Sequence, residues 1–275
     1  MRYVNGQIAQ LVAIALHYNA ALTGAKPTDF ITQNSTAQYC QSLDFVREER
    51  TWFGLRTPER RVMSSPEQWF ADLRQRKAVR IDVRWVTAND KAAPPDRMMA
   101  GFIGGGGVWT MQVLFSDGTY EQWLSDWRVD ESRRQTDRKI WRVSYRRVYA
   151  GKQSLGAIPV AEAMTQLKQA LVNIHAFSAR KDVKPFTEMF EKALNATRRE
   201  AGAEGYHRDL YPEGLLEGEA AAILNAAQSA WVFGGMGSWN DVGFDGADGK
   251  EYDRVSEQLF QALLRAIPAA VDAQE

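Results

Sequence analysis

Residues 79–85 read Val-Arg-Ile-Asp-Val-Arg-Trp. Apolar side chains at 79, 81, 83 and 85 alternate with charged ones at 80, 82 and 84, the period of two expected of a strand with one buried face. Working outward, two more apolar stretches follow at 98–103 and 108–115, with four glycines, Gly104 to Gly107, between them. Asp117-Gly118 then separates Val113-Leu114-Phe115 from Thr119-Tyr120-Glu121, a strong hairpin signal because both residues tolerate positive φ. Alternation returns at 140–148. Ile140, Arg142, Ser144, Arg146 and Val148 take one side, and Trp141, Val143, Tyr145 and Arg147 the other. The pattern predicts an antiparallel meander of four or five strands over 78–149, with early helices on one face. Val83, Trp85, Leu114, Trp141, Val143 and Tyr145 are expected in or near its core.

Upstream, Ile8, Leu11, Val12, Ala15, Leu16 and Leu22 recur at helical spacing before Gly24, which predicts a helix over 5–23. Residues 26–29 read as a loop. Residues 37–46 are ambiguous, with Tyr39, Leu43 and Phe45 suggesting extended chain. Ser65-Pro66 starts a short helix with Ser as N-cap and Pro at the first position, and Trp69, Phe70 and Leu73 give it an apolar face. Beyond about residue 152 the helix formers Ala, Leu, Glu and Gln dominate. Helices are expected over 160–179, 181–200, 217–233 and 252–271, the last kinked or ended at Pro268. The fold class is therefore α+β. An N-terminal domain, 1–155, holds helices and the antiparallel meander, and a C-terminal domain, 156–275, is a helical bundle.

The 275 residues carry 34 Lys+Arg and 34 Asp+Glu. That neutrality hides a division: residues 1–152 hold 23 basic and 16 acidic side chains, and residues 153–275 hold 11 and 18. Such asymmetry bears on partners and association rates and not on fold. Cys40 is the single cysteine, so an intramolecular disulfide framework is excluded. No apolar run reaches the roughly 18 residues of a membrane helix, and the N-terminus lacks a leader pattern. A cytoplasmic protein without membrane contact is expected.

Several motifs invite chemistry. Gly104 to Gly107 is followed by Val-Trp-Thr and not by Gly-Lys-Ser/Thr, so a phosphate loop is a poor match and a mobile hairpin loop a better one. Asp241 to Glu251 resembles a calcium loop in composition, but Gly243 stands where the third-position oxygen belongs. His17, His175 and His207 are far apart, and Cys40 has no nucleophile signature around it. Gly-x-Ser-x-Gly and His-Glu-x-x-His are absent. Arginines of 128–147 interleave with Trp127, Trp141 and Tyr145, the ingredients of nucleic-acid binding. Asp126, Asp130, Glu131 and Asp137 in the same stretch argue against it. No catalytic residue, metal ligand or cofactor is assigned.

The most unusual string is Phe233-Gly-Gly-Met-Gly-Ser-Trp-Asn-Asp241. Its glycines predict a tight reversal after an apolar helix, with positive φ at Gly235, Met236 and Trp239 packing back on the bundle, and Ser238, Asn240 and Asp241 satisfying freed backbone groups. The string resembles a motif of small bacterial proteins of uncharacterised function: Gly-Gly-Met-Gly-Ser, an apolar residue, then Asn-Asp. The likeness covers residues 160–272 and is specific over those nine residues. Such proteins are loosely associated with toxin–immunity loci. The resemblance implies a protein-binding module, an immunity protein that neutralises a toxin by contact. The acidic second half suggests a basic partner, met by Gly235, Met236, Ser238, Trp239, Asn240, Asp241, Asp245 and Asp248, with Glu213, Glu217 and Glu219 before the preceding helix. A helix of about 24 Å could hold the two acidic sets apart. The rival reading is an enzyme, hydrolytic or nuclease-like, with a site between sheet and bundle.

Overall fold

The computed structural model describes residues 6–24, 29–49, 59–86, 94–130, 138–152, 156–198 and 205–273. Among them, six strands make one mixed sheet: β1 (Cys40–Glu49), β2 (Glu59–Met63), β3 (Ala78–Val86), β4 (Val108–Phe115), β5 (Tyr120–Val129) and β6 (Trp141–Gly151), in the order β2-β1-β6-β5-β4-β3. The expected meander is present as β3 to β6, all antiparallel, with Asp117-Gly118 turning β4 into β5. It is not the whole sheet. The ambiguous stretch becomes β1, which runs parallel to β6, and β2 pairs antiparallel outside it. Parallel pairing between residues about a hundred positions apart leaves no turn signal in sequence.

One sheet face carries Leu43, Phe45, Ile81, Val83, Met111, Val113, Trp123, Val143 and Tyr145, all buried. Two helices cover it, α1 (Gly6–Leu22) and α3 (Pro66–Gln75). As expected, Ser65 caps α3, its hydroxyl accepting from Gln68 N, and Pro66 sits in the first turn. Trp69 of α3 stacks on Phe45 with ring centres 4.3 Å apart, and Phe45 in turn on Tyr145. Trp85 and Trp141 lie half-buried against this core. Leu114 is half-buried on the other face, and Val79 is exposed because the register shifts between Ala78 and Arg80.

β3 is an edge strand, yet four of its backbone groups are occupied by side chains. Asn19 of α1 donates to Ile81 O (2.9 Å) and accepts from Ile81 N (2.8 Å). Tyr18 donates to Ala78 O (3.1 Å), and Arg84 folds back to donate to Val83 O (2.8 Å).

The remaining helices are α2 (Phe30–Gln33), α4 (Asp96–Met99), α5 (Val160–Arg180), α6 (Lys184–Thr197), α7 (Gly218–Ala230) and α8 (Gly246–Asp272). Residues 98–103, expected as strand, form the end of α4 and a run of turns. Pro95 opens the helix, and Gly101 and Gly104 keep the chain after it from settling into a strand. The tetraglycine run is tied down: Gly104 N donates to Gln7 Oε1 and Trp85 Nε1 to Gly106 O. The helices from α5 to α8 pack on one another as the bundle predicted, with one correction. α8 begins six residues earlier than expected, continues through Pro268, and also lies against β3. Its Asp272 meets Arg84 at 2.7 Å, and Arg84 meets Asp82. Buried apolar side chains of both halves form one continuous core, in which α1, buried almost all round from Ile8 to Ala21, is the central element.

Candidate functional site

The chain leaves α7 at Ala230, reverses through the glycines and enters α8 at Gly246. The reversal is fixed from three sides. Trp239 N donates to Val232 O (3.1 Å), closing the loop on itself. Ser238 caps a single 3₁₀ turn, Trp239–Asp241; its hydroxyl donates to Gly234 O (3.0 Å) and accepts from Asn240 N (3.3 Å). The Asp241 carboxylate accepts from Gly237 N. Gly237, not Gly235, has positive φ (79°), so the strain expected at Gly235 falls two residues later. Gly235 has an ordinary φ and open space around it.

Trp239 is wholly buried. Its ring lies among Phe186, Phe190 and Tyr252 at 5.1–5.4 Å between centres. The indole N–H donates to Ser256 Oγ (2.7 Å), and Tyr252 OH donates to Trp239 O (2.6 Å). Phe177 of α5 adds an edge contact at 6.4 Å, so three helices, α5, α6 and α8, close on one side chain of the loop. Met236 does the opposite. Expected to pack back, it is 99% exposed at the tip. With Gly234 to Ser238 supplying the turn and Trp239 anchoring it, the Met236 side chain has nothing to lie against.

The loop also joins the two halves. Asn240 Nδ2 donates to Arg97 O (3.0 Å), and Arg97 holds Asp253 at 2.5 Å. Gly101 presses on Gly234 and Gly235 so closely that a Cβ on it would stand 2.1 Å from Gly234 C. Only a bare Cα fits there. Phe102 and Ile103, next along, are exposed.

The acidic candidates separate into two groups. Asp241 and Asp245 are exposed at the start of α8, and Asp248 is held by Lys181. Glu213 and Glu217 line a half-open cavity of about 700 Å³ with Asn19, Arg80 and Ala273; Glu219 is exposed nearby on α7. Ala273 follows the far end of α8, a helix of 27 residues and about 40 Å, so the two groups lie toward its opposite ends. They do not converge.

Sequence reasoning missed a polar cluster that the fold assembles from distant histidines. Ser35 Oγ donates to Asp209 Oδ1 and lies 2.7 Å from His207 Nδ1. Having given its proton to the carboxylate, Ser35 accepts from the ring, which assigns the His207 proton to Nδ1. Ser35 N donates to Asp209 Oδ2 (2.5 Å). His17 Nε2 and Asn34 Nδ2 both donate to Asp209 O, at 3.1 and 2.8 Å. Burial lowers the pKa of both histidines, opposed by the Asp209 charge. A catalytic serine needs its base free to take the proton and a carboxylate behind that base. Here the carboxylate holds the serine itself, and also takes the serine N–H that could face an oxyanion. The cluster is a clamp between the N-terminal segment and residues 207–209. No sequence signal marks it, because its members are up to 192 positions apart.

Cys40 is buried, accepts from Gln10 Nε2 (3.2 Å), and burial pushes its thiol up to about 11, far from a thiolate at neutral pH. His175 is half-buried on α5. Arg128, Arg142 and Arg146 share the open sheet face, each paired with Asp126 or Asp130, and Arg147 turns to Glu121 on the other face. Arg133 and Arg134 lie outside the described residues. Among the described residues no His/Cys/Asp/Glu group has metal-site geometry, and no helix is long and apolar enough to cross a membrane. No protein-family model matches the chain, and neither a curated protein nor a solved structure is significantly similar to it.

Proposed function

We propose that the chain is a protein-binding module of the immunity type, which neutralises a toxin by direct contact through the 233–241 loop. One observation carries the reading: Met236 is fully exposed at the tip of a turn whose flanking residues are locked. A methionine on a rigid support offers a large, soft apolar contact at little ordering cost on binding. Ser238 and Trp239 build the support, and Met236, Asn240, Asp241 and Asp245 belong to the contact face. The second acidic group, at Glu213, Glu217 and Glu219, is too distant to share that face.

The experiment is to purify the chain with the product of the adjoining gene as candidate partner and to compare Met236→Ser. Tight association that the variant weakens at unchanged melting temperature supports the reading; equal association by both proteins refutes it. The rival enzyme reading finds no support in the Ser35–His207 contact, since the ring donates to the serine; ester turnover by the purified chain, lost in Ser35→Ala, would overturn that assignment.

A further inference from the structure

Met236 does not stand alone at the surface. Gly101 rests on the backbone of Gly234 and Gly235, which brings the turn after α4 against the tip of the 233–241 loop. That turn exposes Phe102 and Ile103, 56% and 45% accessible. The contact of these glycine backbones therefore brings together two segments that between them expose three large apolar side chains. Exposed apolar side chains gathered in this way mark interaction surfaces.

The charge around them selects the partner. Residues 98–107 carry no charged side chain, and residues 233–249 carry three aspartates before the exposed Lys250. Lys181 holds Asp248, while Asp241 and Asp245 are exposed beside the tip of the loop.

We infer that Phe102, Ile103 and Met236 form one composite docking surface for a basic protein, one that presents an apolar stripe bordered by lysine or arginine. The inference rests on the reading of the 233–241 loop as a contact loop and adds Phe102 and Ile103 to it. The aspartates steer the cationic border and the three apolar side chains dock on the stripe.

The test uses the full chain with 13C-methyl methionine, the Met236 signal being identified by its loss in Met236→Ser. The probe is a synthetic amphipathic helix of leucine and lysine, with a leucine and glutamate helix as its counterpart. The expected result is a selective shift of the Met236 methyl with the lysine helix. The glutamate helix should bind at least about tenfold more weakly, and Phe102→Ser with Ile103→Ser should weaken lysine-helix binding about tenfold. Ile103→Lys, which plants a cation in the surface, should weaken it as much without any loss of side-chain bulk. Melting temperatures should stay at the parent value.

If Met236→Ser weakens binding and the Phe102 and Ile103 variants do not, the composite surface is refuted and the single-loop reading stands. If none of the variants matters, both fall. Equal binding of the two helices, or an unmoved Met236 signal, overturns the partner chemistry.

Discussion

Trp239 and Met236 stand three residues apart in one turn, and their substitutions should have opposite consequences. Trp239→Ala empties a site closed by Phe186, Phe190 and Tyr252, and leaves the Ser256 hydroxyl without the indole N–H it accepts. Truncating a fully buried tryptophan costs about 3–5 kcal/mol, and a buried hydroxyl stripped of its partner costs about 1–3 kcal/mol where the site cannot relax. The terms overlap, so a loss of about 4 kcal/mol is expected, a large part of the roughly 5–15 kcal/mol that holds a folded protein together. Trp239→Phe keeps most of the ring and removes the hydrogen bond, for an intermediate loss of about 1–2 kcal/mol. Met236→Ser should fall within about 0.5 kcal/mol of the parent, since nothing packs on it. Urea unfolding followed by far-ultraviolet circular dichroism measures all three, read as midpoint shifts at constant slope. A loss below about 1 kcal/mol in Trp239→Ala would show that the tryptophan does not hold the helices together and would remove the physical basis for calling the loop rigid.

The other expectations concern backbone and pH. Gly237→Ala should cost about 1–2 kcal/mol because φ at 237 is positive, whereas Gly235→Val should melt near the parent, with ordinary φ and open space at 235. Gly101→Ala should destabilise the chain and loosen the 233–237 turn, seen as faster amide exchange there, because its new Cβ meets Gly234 C at 2.1 Å. His17 and His207 have folded-state pKa values below their ordinary 6.5, so the unfolded chain binds protons first. Stability should therefore fall as pH drops below about 6.5, and a double Gln variant should flatten that slope. Asp272 behaves with the opposite sign. Burial, outweighing Arg84 and reinforced by Asp82, raises it to about 6, so the Asp272 contribution to stability should shrink as pH rises from about 4 to 6, and Asp272→Asn should make the fall on acidification steeper over that range.

Local chemistry was legible in the sequence, and contacts across long separations were not. Ser65-Pro66 and Asp117-Gly118 each fix their own geometry within three residues, and both appear where expected. The alternation of β3 and β6 and the helical stripes of α5 to α7 survived with end shifts of a few residues. The extended chain suggested at 37–46 is β1, but its place in the sheet escaped because its partner β6 lies about a hundred residues on, and Arg47 sits buried two positions from Phe45. The start of α8 escaped because Gly246 and Gly249 are poor helix formers; the six added residues are part of what carries the two acidic groups to opposite ends. Trp239 and Met236 are both large apolar residues of one string, and the one that turns inward is the one for which Phe186, Phe190, Tyr252 and Ser256 of other helices supply a site. The clamp at Asp209 depends on three segments meeting, and no one of them foretells it.

The covering of β3 has a consequence for how this chain is made. Two of the side chains that cover it, Tyr18 and Asn19, belong to a helix synthesised about sixty residues before the strand appears. On the ribosome, α1 is thus already available when β3 emerges, and the strand can be covered as it forms. Any step that delays α1 leaves Ile81 with a free donor and acceptor on an apolar ribbon, a template on which a second nascent chain could pair. Asn19, which contributes nothing to the contact loop, is in this sense a guard against self-templating: its replacement by leucine should raise the yield of insoluble chain more than it lowers the stability of the chain that does fold.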